Sequence, residues 1–95
     1  MRSAPMLDFP LDEFEQRLGK LFDTLERTDC AAVLLTYVEN LRYYCNFRTS
    51  AWNSEFLSPA MLVVARSGGI VLVTSPRMKA TALATCCLDE SDILT

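Results

Sequence analysis

The chain has no histidine in 95 residues, and that absence excludes most of the chemistry open to a small enzyme. Without an imidazole there is no Ser–His or Cys–His pair to activate a nucleophile. The usual nitrogen ligand of a zinc site is missing too. Glycine is scarce, at three residues, and no phosphate-cradling loop can be assembled from them. Neither CxxC nor HExxH spacing occurs. No apolar stretch, Ala60–Ala65 included, approaches the roughly 20 residues a membrane span needs. Residues 1–10 carry one Arg, two Pro and an Asp, with no apolar segment of the secretory type. The expectation is a cytoplasmic protein without a membrane role.

Long runs of one charge sign are also missing. Nine basic residues stand against twelve acidic ones, for a net charge of -3. The basic residues are scattered and form no stripe interleaved with aromatics, so a nucleic-acid partner is not expected. What is abundant is apolar surface: 51% of the residues are hydrophobic. That is too rich for a disordered chain. It predicts one small domain, over residues 1–95, with an apolar face that a partner or a further domain covers.

The four cysteines, Cys30, Cys45, Cys86 and Cys87, fit no zinc spacing. The adjacent pair cannot bridge itself without strain. All four read as reduced thiols serving as small hydrophobes, which leaves any redox role open.

Apolar residues at Leu11, Phe14, Leu18, Leu21, Phe22 and Leu25 recur at steps of three and four, which predicts an amphipathic helix over Leu11–Arg27. Asp12, Glu13 and Glu15 lie near its start, where the helix dipole favours acids. Gly19 is its weak point and a place for another element to approach. Residues 30–36 are continuously apolar and predict a strand covered on both faces. Val38, Leu41, Tyr44 and Cys45 suggest one face of a short helix. Residues 47–59 read as a loop holding Trp52 and Phe56. Two more strands follow, Ala60–Ala65 and Ile70–Thr74. The Gly68-Gly69 turn between them makes them an antiparallel hairpin rather than a phosphate site. Ser75 as cap and Pro76 at the first position predict a helix to about residue 86. Ile93 and Leu94 begin a further strand. The acidic clusters at Asp12-Glu13-Glu15 and Asp89-Glu90 read as solvated surface.

Two segments carry a family resemblance. One is Phe9-Pro10-Leu11-Asp12-Glu13-Phe14-Glu15-Gln16-Arg17-Leu18. The other is Val33-Leu34-Leu35-Thr36 running into Glu39-Asn40-Leu41-Arg42-Tyr43-Tyr44-Cys45-Asn46-Phe47. Together they resemble the N-terminal domain of the creatinase / aminopeptidase P / prolidase superfamily, over roughly residues 9–74. The resemblance implies an α/β fold: a small mixed β-sheet flanked by helices, in a ribonuclease H-like arrangement. The domain looks truncated, with Ile93 to Thr95 as the stub of another strand.

The resemblance also implies that catalysis belongs to a separate pita-bread domain outside this sequence. Its divalent metal pair (Mn, Zn or Co) is expected only there, and no metal or catalytic residue is assigned here. Asn40 and Tyr44 fill the family's structural motif, with Gly68 and Gly69 forming the hairpin. Asn46 stands where glycine is usual, and asparagine also tolerates the left-handed conformation. Asn40 is expected to cap the short helix or satisfy backbone groups, and Tyr43 and Phe47 to pack.

In creatinase-like relatives, aromatic and basic residues of this domain reach the active site of the neighbouring subunit. By position, Trp52, Arg48, Phe47 and Tyr43 are the candidates. Trp can stack on a ring or hold a cation, and Arg can clamp a carboxylate. A homodimer is therefore expected, with a small peptide or zwitterionic substrate in the full-length enzyme. The rival expectation is a free-standing α/β self-association module without enzymatic activity.

Overall fold

The computed structural model describes residues 1–49 and 60–95. Helix α1 spans Leu11–Arg27, as the apolar periodicity predicts, and buries Phe14, Leu18 and Leu25. It ends where Asp29 turns left-handed, at φ 56°. The Asp29 amide then donates to Glu26 O and the Cys30 amide to Leu25 O. This crossed pair satisfies carbonyls that the last turn would leave open. A Cβ built on Gly19 meets nothing within 4 Å. No close approach among the described residues therefore explains that glycine.

Strand β1 (Ala32–Leu35) leads into helix α2 (Val38–Cys45), which buries Leu41 and Cys45. Strands β2 (Ala60–Ala65) and β3 (Ile70–Thr74) form the expected antiparallel hairpin. Gly68 sits in its turn at φ 104°, a conformation that L side chains rarely adopt. After β3 the chain makes a short 3-10 turn, Pro76–Met78, before helix α3 (Lys79–Thr85). Ser75 holds the cap position, but its side chain makes no capping hydrogen bond. The Met78 amide instead donates to the Ser75 carbonyl, at 3.0 Å. A second 3-10 turn, Glu90–Asp92, delivers β4 (Ile93–Leu94).

The sheet order is β1-β2-β3-β4. β1 and β3 both run antiparallel to β2, while β4 pairs parallel to β3. The sheet is thus mixed, and α3 lies in the crossover that a parallel neighbour requires. One sheet face carries Leu62, Val64, Leu72 and Ile93 into a single cluster with Phe14, Leu18 and Leu25 of α1, Leu41 and Cys45 of α2, and Ala82 of α3.

The other face departs from expectation. The strand registers align Ala32 with Ala65, Leu34 with Val63 and Val71, and Met61 with Val73 and Leu94. All eight side chains are apolar, yet none joins the core cluster or the residues packed against it. Leu34 is 61% exposed and Leu94 50%. The prediction of a first strand covered on both faces fails here, because β1 is an edge strand with alternating burial.

Candidate functional site

The end of α2 organises the polar side of the molecule. Asn46 closes the helix in the left-handed region, at φ 65°, and its amide donates to Arg42 O. Its side chain is completely buried. Nδ2 donates to Met6 O at 3.0 Å and to Thr85 O at 2.7 Å. One side chain thus ties the N-terminal arm to the ends of α2 and α3. The arm is pinned further by the Met6 amide on Ala84 O and the Arg2 amide on Cys87 O.

Beside this knot, the Cys87 amide donates to Cys45 O at 2.9 Å. Cys45, Cys86 and Cys87 are all buried free thiols. A hydrogen bond with Cys86, then burial, holds the Cys45 thiol far above its usual ionisation range. The same hydrogen bond lowers Cys86. Burial, reinforced by Cys86, pushes Cys87 up to about 12. These three fit the reading as small hydrophobes. Cys30 does not, since it lies exposed just after α1.

Pinning the arm places Asp8 between two arginines. Its Oδ2 accepts from Arg42 Nε at 3.2 Å and lies 3.1 Å from Arg42 Nη2. Its Oδ1 lies 3.4 Å from Arg48 Nη2, which also donates to Met6 O at 2.8 Å. Two guanidinium groups share one carboxylate. A cavity of about 430 Å³ opens beside them, lined by Met6, Arg42, Arg48, Thr49, Thr81, Ala84 and Thr85. On the other side of Arg42 lies a second cavity of about 500 Å³, bounded by Asp8, Phe9, Arg17, Glu39 and Tyr43.

Tyr43 is half exposed in that second cavity. The Arg17 guanidinium lies 4.2 Å above its ring and also faces Phe9 and Phe14, at 4.9 and 5.2 Å. Arg17 Nη1 donates to Tyr43 O at 2.9 Å. This arginine locks α1 to the end of α2 through cation–π contact.

The structure therefore places Arg48 and Tyr43 on the two cavities that share Arg42 and leaves Phe47 in the core. Phe47 is completely buried in the core, so its ring packs and offers nothing to a substrate in this conformation. Asn40 is the third residue of α2, whose cap position is Tyr37 and which has no side-chain cap. The capping role expected of Asn40 is not made. Tyr44 packs partly buried, its ring edge-on to Tyr43 at 4.9 Å. Gly68 and Gly69 form the hairpin turn. Trp52 lies outside the described residues; Thr49, earlier in the 47–59 stretch, lines the Arg48 cavity. Asp8 and Arg42 were not singled out by sequence. Arg42 lies inside the Asn40–Tyr43 motif, which was a usable signal; Asp8, 34 residues away, had none.

Among the described residues, no three His, Cys, Asp or Glu side chains converge as a metal ion requires. The metal pair implied by the resemblance therefore has no fitting donor set among these residues.

A small mixed α/β domain with an arginine-flanked surface cavity is what fold and site define together. The model of the Creatinase/Prolidase N-terminal domain matches residues 17–94, and the chain belongs to that family. Among solved structures, an Xaa-Pro aminopeptidase from Streptococcus pyogenes superposes with a TM-score of 0.69 at 24% identity. The match covers 87% of this chain and 56% of that one, so this chain spans little more than half the relative's length. At that identity the likeness establishes the fold. A search of curated proteins returns no match. No helix among the described residues is long and apolar enough to cross a membrane.

Proposed function

We propose that this chain is the non-catalytic N-terminal domain of a creatinase or Xaa-Pro aminopeptidase-like metallohydrolase. In that role it dimerises and shapes the substrate pocket of the neighbouring subunit. The family match over residues 17–94 carries the reading. Arg48 and Tyr43, half-open on adjoining cavities, are the described groups that would border such a pocket, with Trp52 on the loop that follows. Arg48 would hold a substrate carboxylate and Tyr43 would offer an aromatic face. The metal pair and the hydrolysis of a C–N bond, in a small peptide or zwitterionic substrate, belong to the pita-bread domain. The working location is the cytoplasm.

The apolar sheet face that no described core residue covers favours a second reading, a free-standing self-association module. The reading frame downstream of the Thr95 codon separates the two. A continuation that folds as a hydrolase domain, with spaced Asp, Asp, His, Glu and Glu ligands, is the expected result; a stop codon would favour the module. The purified 95-residue chain should not hydrolyse an Xaa-Pro dipeptide with or without added divalent metal. Metal-dependent turnover by this chain would overturn the proposal.

A further inference from the structure

The two guanidinium groups at Asp8 have unspent capacity. Arg42 and Arg48 bring two positive charges to one carboxylate, so that among the described residues one of the two charges has no carboxylate of its own at the rim of a 430 Å³ cavity. No acidic residue among the described residues lines that cavity. Arg48 Nε is enclosed and finds no hydrogen-bond partner among the described residues. Asp8 itself shows what the pair accepts: a carboxylate whose two oxygens are divided between the two arginines. It arrives on the N-terminal arm, a segment without helix or strand, held by the backbone bonds of Arg2 and Met6.

We propose that the cavity beside Arg42 and Arg48 binds the carboxylate of a small monoanion, and that Asp8 is an internal occupant competing for the same guanidinium donors. Exchanging the Asp8 carboxylate for that of a ligand keeps the local charge balance, which a phosphate dianion would change. Guanidinium–carboxylate bonds are charge-assisted and geometrically selective, so two arginines can discriminate an acid from its amide. Thr81 on the cavity wall supplies a hydroxyl for the polar remainder of the ligand. The inference deepens the reading of Arg48 given above and rests on it only for the biological use of the site. Binding is measured on this chain alone and can fail while the domain assignment stands.

The test is isothermal titration of the purified chain with N-acetylglycine, with N-acetylglycinamide, and with inorganic phosphate. The acid should bind about tenfold more tightly than the amide, and more tightly than phosphate. Arg48→Gln should weaken the acid about tenfold, with an unchanged circular dichroism spectrum. If that variant does not fold, the more exposed Arg42→Gln carries the same expectation. Asp8→Asn should tighten binding several-fold, because it removes the competitor while both arginines remain. Equal affinity for acid and amide, tighter binding of phosphate, or weaker binding in Asp8→Asn would overturn the proposal.

Discussion

Asn46 shows how much one residue can settle in so short a chain. Its left-handed backbone was foreseeable from its place at a helix end, where the family carries glycine. Its side chain was not, because the partners are backbone carbonyls 40 and 39 residues away. Asn46→Gly should keep the conformation and lose both hydrogen bonds, so stability should fall by about 1–3 kcal/mol in chemical denaturation. An unchanged midpoint would show that the tie contributes nothing.

The glycines make a contrasting pair. Gly19 has helical surroundings and open space, so Gly19→Ala should raise stability by about 0.5–1 kcal/mol. Gly68, at φ 104°, should lose about 1–2 kcal/mol on the same substitution. Parallel urea titrations compare the two directly.

At the scale of elements, helix α1 was legible from end to end because its apolar period and acidic first turn agree. The hairpin was legible because two apolar strands flank a glycine turn. Strand β4 was visible as an apolar dipeptide, but its parallel pairing depends on the α3 crossover, which no local pattern encodes. The covering of β1 was misread because a continuous apolar run marks burial only if something lies on each face. The contacts of Arg17 with Tyr43 and of Arg42 with Asp8 were not legible, because these partners come from other segments of the chain.

The junction of α2 and α3 makes its own prediction. The folded chain holds the Cys87 proton up to about pH 12, whereas an unfolded cysteine releases it near pH 9. The contribution to stability is complete below pH 9 and is lost as pH rises from there toward 12, by on the order of 1 kcal/mol per unit. Cys45 acts in the same direction, and Cys86, whose value is lowered, opposes it. Thermal melts from pH 8 to pH 11 should show the decline, and Cys87→Ala should flatten it. A variant that declines as steeply would remove Cys87 from the account.

Over the whole molecule, part of the apolar excess visible in composition lies, among the described residues, on the eight-residue sheet face opposite the core cluster. A surface of this kind, with Leu34 and Leu94 open to water, is what an association surface requires. Leu34→Asp should disrupt self-association while leaving the core cluster intact, because Leu34 takes no part in that cluster. The arginine-flanked cavity sits apart from this face, among the N-terminal arm, α2 and α3. The proposed role needs these two surfaces to be distinct, one for association and one that presents Arg48 and Tyr43. The most direct measurement is the mass of the purified chain by light scattering after size exclusion. A discrete particle of twice the 10.7 kDa chain mass is predicted. A monomer at every concentration, or a heterogeneous aggregate, would contradict the account.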